Sequence, residues 1–123
     1  MVRVAVDEIL FEYDEPLVLV GSDDKGRKYV CLNSEDRKNG YWFLVAYVDP
    51  GYLEDFRYQR VDLRYLMRDA VLGTYRSAVS WGNVGEEFNA KPFKDDPRNF
   101  FPQAGLFLPR KVSVKKGRGG RKC

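Results

Sequence analysis

The chain has 123 residues, a formal net charge of +3 and no histidine, and 44% of its residues are hydrophobic. A chain of this length can bury a core as one domain without disulfides or metals. The lack of histidine excludes Ser-His-Asp and Cys-His catalysis and zinc sites of the HExxH type.

The sequence also indicates a cellular location. No apolar run reaches the roughly 18 residues that a membrane-spanning helix needs. The N-terminus lacks the long apolar region of a signal peptide, and the two cysteines, Cys31 and Cys123, lie far apart. We therefore expect a reduced, cytoplasmic protein that makes no contact with a membrane.

Positive charge is concentrated at the C-terminus. Residues 110–123 contain seven Lys and Arg and no acid, so subtracting seven from the net +3 leaves −4 on residues 1–109. The last nine residues, KKGRGGRKC, are rich in glycine and basic residues, a composition typical of disorder. We expect one domain over residues 1–114 and a disordered basic tail over 115–123.

Four apolar segments separated by turn residues predict consecutive antiparallel strands. Val2–Tyr13 alternates and then shifts phase, which indicates a bulge near Glu8. Three further strands follow, over Leu17–Gly21, Arg27–Asn33 and Tyr41–Val48.

The strand Tyr41–Val48 is apolar on both faces, whereas a half-exposed antiparallel strand alternates apolar with polar residues. It should therefore be a central strand of the sheet with both of its faces covered. We expect the helical segment that follows to cover one face, and the C-terminal segment or a second copy of the protein to cover the other.

Two short helices are predicted after these strands. Asp49 and Pro50 are a favourable N-cap and first helical residue for a helix over Pro50–Tyr58. Asp62 can cap a second helix over Asp62–Ala70, whose apolar residues recur at helical spacing.

The remaining chain has weaker patterns. Val71–Val79 fits a returning strand, and Glu86–Phe101 is interpreted as an ordered loop because it shows no clear period. Pro102–Pro109 should be an extended segment held by Leu106 and Leu108. The predicted fold class is α+β, with a central antiparallel sheet of four to five strands in a meander, two short helices and an extended C-terminal segment.

The first half of the chain resembles a bacterial domain family of unknown function. The resemblance rests on an aromatic-x-aromatic-Asp-x-Pro phrase within Phe11–Leu17, a glycine turn within Asp24–Val30, the strand Trp42–Val48 and the Val-Asp-Leu-Arg phrase at 61–64. It covers residues 6–70. The resemblance implies this small meander with two short helices, and it implies no reaction.

An excess of aromatic residues favours a non-catalytic protein–protein interaction module. Tyrosine and tryptophan are enriched at protein interfaces, although burial in the core accounts for many of them. The partner would be another protein or a second copy, and a role in immunity, antitoxin action or phage conflict would suit a small acidic body. The candidate partner-binding residues are Tyr41, Tyr47, Tyr58, Tyr65 and Trp81.

Nucleic-acid binding is the alternative hypothesis. Basic residues among glycines are typical of arms that contact nucleic acid through counterion release, and arginines at spacing four on a helix can bind phosphate. A solvated helix flank and a solubilising terminus are the competing interpretations. The candidate residues are Arg60, Arg64, Arg68, Lys115, Lys116, Arg118, Arg121 and Lys122.

A metal-dependent hydrolase is a third and weaker hypothesis. The acid-x-Lys phrases Asp23-Asp24-Lys25 and Asp36-Arg37-Lys38 match the pattern that such nucleases use to hold Mg²⁺, but both fall in predicted turns, where these residues are common. Cys31 has no histidine base and is better explained as a buried strand residue. We expect no catalytic residue, no metal site and no cofactor.

Overall fold

The computed structural model describes residues 2–13, 15–37, 40–69, 72, 75–94 and 96–108. Within them, six antiparallel strands form a closed barrel in chain order, with β6 returning to β1. The predicted α+β class with an open sheet is therefore wrong. The strands are β1 (Val2–Tyr13), β2 (Glu15–Ser22), β3 (Lys28–Arg37), β4 (Gly40–Tyr47), β5 (Arg76–Ser80) and β6 (Glu87–Pro92).

The strand β6 closes the barrel, in a region where an ordered loop was predicted. It pairs with β1 through Val2 opposite Ala90 and Val4 opposite Phe88, and with β5 through Ser77 opposite Lys91. Its residues do alternate, since the second and fourth are buried and the others exposed. The alternation of apolar and polar residues is weak in the sequence because one of the two inward side chains, that of Ala90, is only a methyl group.

Side chains fill the interior of the barrel, as expected for a small barrel. Every strand contributes at least one side chain to it. The cluster consists of Val4, Val6, Leu19, Tyr29, Cys31, Phe43, Val45, Ala78, Phe88 and Ala90.

A glycine on β2 makes this filling possible. A Cβ at Gly21 would lie 2.5 Å from Cγ1 of Val4 and 2.7 Å from the backbone oxygen of Ala5. Because real Cβ atoms do not approach other atoms so closely, only glycine fits where β2 passes β1. Nearby, β1 shifts register between Val6 and Glu8, which confirms the predicted bulge.

Two helical turns pack outside the barrel. Helix α1 (Pro50–Arg57) begins after Asp49, whose carboxylate accepts a hydrogen bond from the Gly51 N–H, so the predicted cap is confirmed. The second segment is a π-helical turn over Tyr65–Asp69 rather than the predicted α-helix over Asp62–Ala70. Asp62 still caps it by accepting a hydrogen bond from the Tyr65 N–H at 2.8 Å.

These two helical segments, α1 and the turn Tyr65–Asp69, are here called the helical layer. They cover the outer face of β2, β3 and β4. Leu44 and Ala46 of β4 pack there against Leu53 and Phe56 of α1 and other buried residues of the layer. On the inner face of β4, Phe43 and Val45 belong to the barrel interior. The prediction that β4 is covered on both faces is thus confirmed. The inner cover is the barrel interior, so the predicted cover by the C-terminal segment or a second copy is wrong.

A salt bridge ties α1 to β1. Both terminal nitrogens of Arg57 donate to the two carboxylate oxygens of Glu8. The hydrogen bond to Glu8 raises the pKa of Arg57. The bridge joins the helical layer to the bulged part of β1, where the strand pairs only with β2 among the described residues.

The C-terminal segment 102–108, here called the strap, follows a 3₁₀ turn over Pro97–Phe100 and crosses the helical layer. Backbone groups hold it: the Leu63 N–H donates to the Leu106 carbonyl at 2.8 Å, and the Gln59 amide donates to the Leu108 carbonyl at 2.6 Å. Leu108 is buried as predicted, but the Leu106 side chain is 50% exposed and does not anchor the segment.

None of the described helices is long and apolar enough to span a membrane.

Candidate functional site

The structure brings together two of the predicted partner-binding residues, Tyr41 and Trp81. Their rings meet edge to face with centroids 5.9 Å apart, because Tyr41 on β4 pairs in register with Ser80, the residue before Trp81. Tyr41 also contacts Phe43 inside the barrel. One edge of Trp81 therefore packs on the core through Tyr41, while the rest of its ring faces solvent.

Trp81 belongs to an exposed apolar surface on the β5–β6 hairpin. Val79 and Trp81 are each 48% exposed and Val84 is 60% exposed. The helical layer covers β2, β3 and β4, so the outer face of β5 has no such cover from the described layer. We call Tyr41, Val79, Trp81 and Val84 the hairpin patch. Single exposed apolar residues are ordinary on a surface, but a cluster that includes tryptophan is typical of an interaction site.

A carboxylate organises the loop that carries this patch. Glu86 accepts hydrogen bonds from the backbone N–H groups of Gly82 at 2.7 Å and Asn83 at 3.2 Å, and a longer one from Trp81 at 3.5 Å. It also accepts from the Ser80 hydroxyl at 2.7 Å. Charge-assisted hydrogen bonds of this kind are among the stronger ones in proteins. The Glu86 side chain therefore fixes the loop in one conformation.

Glycines permit that conformation. Gly82 and Gly85 have φ of 80° and 88°, a region that side chains disfavour. A loop with two such glycines would be flexible without further restraint. Here the hydrogen bonds to Glu86 restrain the backbone of residues 81–83, which carries the exposed Trp81.

Tyr47, a third predicted partner-binding residue, lies in a different place. Its ring packs on that of Tyr29 with centroids 5.5 Å apart, and the Arg27 guanidinium lies 5.7 Å from its centroid. The Tyr29 hydroxyl donates to the Asp23 carboxylate at 3.0 Å. Tyr47 is thus part of a packed barrel end rather than of the hairpin patch.

Asp23 holds this barrel end together. Its side chain accepts hydrogen bonds from Arg27 Nε at 2.6 Å and from the Lys25 and Arg27 backbone N–H groups. Burial is the largest single influence and opposes ionisation, but these hydrogen bonds together lower the pKa of Asp23. Burial and the bond to Asp23 raise the pKa of Tyr29 to about 12. Both carboxylate oxygens of Asp23 accept hydrogen bonds within the chain, so its role is structural.

Tyr58 and Tyr65 lie on the helical layer. Tyr65 contacts the ring of Tyr52 with centroids 5.8 Å apart, and both are exposed. Tyr58 is 65% exposed and has the Arg60 guanidinium 5.4 Å from its ring centroid. The structure therefore divides the predicted aromatic set between the hairpin, the barrel end and the helical layer.

The predicted arginine stripe has partners within the chain. Arg60 pairs with Asp55 at 3.2 Å, and Arg64 donates to the Pro102 carbonyl of the strap at 3.2 Å. Arg68 is exposed. The five predicted tail residues, Lys115, Lys116, Arg118, Arg121 and Lys122, lie outside the described residues, as does the predicted disorder of 115–123.

Cys31 and the acid-x-Lys phrases were the sequence candidates for catalytic chemistry. Cys31 is fully buried inside the barrel, and burial raises the pKa of its thiol to about 12, so the interpretation as a core residue is confirmed. No group of three His, Cys, Asp or Glu residues in the described part of the chain could hold a metal ion. Lys38 and the side chain of Asp36 fall outside the described set.

A cleft of about 540 Å³ opens beside the β2–β3 turn. Its charged lining is mixed in sign, with Arg3, Lys25 and Arg27 facing Asp23, Asp24 and Glu87. Arg3 already pairs with Glu87 at 3.5 Å, and Asp23 with Arg27. Such a cleft concentrates neither positive nor negative charge.

Sequence reasoning missed Val79, Val84 and Glu86. A signal was present, because Ser80 and Glu86 flank two glycines in a segment between two strands, as in a hairpin loop closed by side chains. The exposure of Val79 could not be inferred, because it depends on which strands the helical layer covers.

Comparisons with known proteins add no further identification. No family model, no curated protein and no solved structure matches the chain. The resemblance to a bacterial family of unknown function therefore stays an expectation from the sequence, and the hairpin patch is the site that the geometry distinguishes most clearly.

Proposed function

We propose that this protein is a non-catalytic interaction module that binds another protein through the hairpin patch. One observation carries the proposal: the loop that exposes Trp81 and Val84 is fixed by the Glu86 carboxylate. A loop backbone that is already ordered loses less entropy on binding, so a tryptophan on such a loop binds more tightly than one on a flexible loop.

The contact would be made by the exposed side chains of the patch. Residues 41–45 of β4 pair with β5 on one side and β3 on the other, and residues 2–5 of β1 pair with β6 on one side. On β5, residues 76–80 pair with β4, whereas the pairing of β5 with β6 comprises Arg76 opposite Pro92 and Ser77 opposite Lys91. A Trp anchor with surrounding apolar residues is the usual composition of an interface hot spot.

Capture experiments with matched variants test the proposal. Trp81→Ala removes the central side chain of the patch, and Tyr58→Ala removes an aromatic ring from the helical layer that is more exposed than Trp81. At least one protein captured by the wild type and by Tyr58→Ala should be lost with Trp81→Ala, and should bind the purified wild type directly. Equal capture of every protein by both variants would contradict the proposal.

The oligomeric state gives an independent result. Equilibrium sedimentation of the wild type should show a monomer if the partner is a different protein. A dimer that Trp81→Ala converts to monomer would instead make a second copy the partner.

A cytoplasmic location stays a prediction, supported by the unpaired Cys31 thiol in the core.

A further inference from the structure

One end of the barrel carries an arginine on an inward-facing position. Arg76 lies two residues before Ala78 on β5 and opposite Val45 of β4, and the side chains of Ala78 and Val45 belong to the barrel interior. Alternate residues of a strand share a face, and so do directly opposed residues of paired strands. Arg76 therefore lies on the inward face, and because β5 begins with it, it lies at the end of the barrel.

A second arginine, Arg27, lies at the same end. Its guanidinium is 5.7 Å from the centre of the Tyr47 ring, and Tyr47 is opposite Tyr29 in the β3–β4 register. Burial is the largest influence on the pKa of Tyr29 and raises it, whereas the positive charges of Arg27 and Arg76 each lower it. Both guanidinium groups are thus close enough to the Tyr29 hydroxyl to act on it.

These two arginines share one carboxylate. Arg27 donates through Nε to Asp23 at 2.6 Å, and within the described residues its terminal nitrogens have no acceptor. Arg76 is half-buried, and no carboxylate in the described part of the chain pairs with it. Other arginines do have a carboxylate partner, namely Arg3, Arg57, Arg60 and Arg98. The positive charge of Arg76 is therefore left for a partner from outside the chain.

The surroundings of Arg76 favour an anion. A positive charge that is partly removed from water is stabilised when a negative group pairs with it. The planar guanidinium donates two parallel hydrogen bonds to a phosphate or a carboxylate. Solvent reaches this end of the barrel through the cleft beside the β2–β3 turn, which Arg27 lines.

We propose that this end of the barrel binds the phosphate group of a small molecule, with Arg76 and the terminal nitrogens of Arg27 as the donors. A phosphate has more acceptor oxygens and more negative charge than a carboxylate, so it suits two guanidinium groups better. Mouths of β-barrels are common places for small-molecule sites. The proposal concerns the barrel end and does not depend on the hairpin patch.

The test is a titration of the isotope-labelled full-length chain with inorganic phosphate, followed by the NMR signals of the arginine Nε–H groups. Constant ionic strength keeps the screening of charges the same throughout. Arg76→Gln removes the charge from the proposed site. Arg98→Gln is the matched control, because it changes the net charge equally at an exposed ion pair. Thermal unfolding verifies that each variant folds.

The expected results separate a built site from general attraction. In the wild type, the Nε–H signals of Arg27 and Arg76 should shift and saturate with a dissociation constant of roughly 1 mM or below. Arg76→Gln should bind at least about tenfold more weakly, because it loses charge-assisted hydrogen bonds. Arg76→Lys keeps the charge but not the fork and should bind with intermediate affinity. Arg98→Gln and Trp81→Ala should bind like the wild type.

Several results would overturn the proposal. Wild-type Nε–H signals that do not saturate by about 100 mM phosphate would show that no site exists. Equal affinity of the wild type and Arg76→Gln would remove Arg76 from the site, and if Arg76→Gln does not fold, Arg76→Lys with wild-type affinity would do the same. An equal loss in Arg98→Gln would reduce the effect to net charge. Acetate that saturates the same signals as tightly as phosphate would contradict selection of a phosphate group.

Discussion

The Ser80 hydroxyl donates a 2.7 Å hydrogen bond to the Glu86 carboxylate across the β5–β6 loop. The same hydroxyl accepts from the Gly82 N–H at 3.1 Å. Two side chains at the ends of the loop thus accept the backbone N–H groups of residues 81–83. The apolar side chains between them are then turned outward, where they cannot contribute to the core.

Replacing Glu86 should loosen the hairpin. Glu86→Ala removes the acceptor for backbone amides in the loop, and we expect the free energy of unfolding to fall by about 1–3 kcal/mol. Amide hydrogen exchange at Gly82 and Asn83 should accelerate. Glu87→Ala is the matched control, because Glu87 is exposed and pairs only loosely with Arg3. Unchanged exchange in Glu86→Ala would show that Glu86 does not fix the loop.

Gly21→Ala should destabilise the barrel. The added methyl group would overlap Val4 and the Ala5 backbone, and overpacking of this kind costs about 1–3 kcal/mol. Urea unfolding followed by circular dichroism measures the change. Gly26→Asn is the control, since a Cβ there meets no atom within 4 Å and asparagine tolerates its φ of 79°. Equal stability of both variants would place β2 further from β1 than the structure does.

The Asp23 carboxylate should make stability depend on pH. Its pKa is lowered in the folded state from the roughly 3.9 of an unfolded chain. The stabilisation is therefore present in full above about pH 4 and lost as the pH falls through the folded pKa. The difference in unfolding free energy between the wild type and Asp23→Asn should shrink as the pH is lowered from about 6 to about 2.5.

Asp24→Asn removes a carboxylate from the same turn without touching the hydrogen bonds to Arg27 and Tyr29, and it serves as the control for Asp23→Asn. A difference between the wild type and Asp23→Asn that stays constant over this pH range would contradict the assignment of the lowered pKa to Asp23.

Asp62 should control the attachment of the strap. Asp62→Ala removes the cap of the π-helical turn and the acceptor of the Gly105 N–H, with an expected cost of about 1 kcal/mol for the cap. Hydrogen exchange at residues 105–108 should rise. Asp55→Ala is the control, because its pair with the exposed Arg60 is worth little. Equal exchange in the two variants would indicate that Gln59 and Leu63 hold the strap by themselves.

Local patterns predicted the parts of the fold that local interactions determine. The β1–β4 meander, the bulge near Glu8 and the cap at Asp49 all rest on neighbouring residues. Barrel closure depends instead on pairing between the two halves of the chain, such as Val4 with Phe88. Because Ala90 gives little hydrophobic signal, β6 was interpreted as a loop.

The site was predicted by residue type but not by position. Aromatic excess selected Tyr41 and Trp81, while the contact between them depends on the register of β4 and β5. The apolar character of both β4 faces was interpreted correctly, but a barrel interior covers a strand as well as a second molecule does. Which apolar residues stay exposed therefore required the fold.

The most direct test of the proposed function is the dissociation constant of the captured protein for purified wild type, Trp81→Ala and Tyr58→Ala, measured by isothermal titration calorimetry. A hot-spot tryptophan is worth about 2 kcal/mol or more, or roughly a 30-fold loss of affinity. We expect that loss for Trp81→Ala and an unchanged constant for Tyr58→Ala. Equal affinities for all three proteins would show that the hairpin patch is not the binding surface.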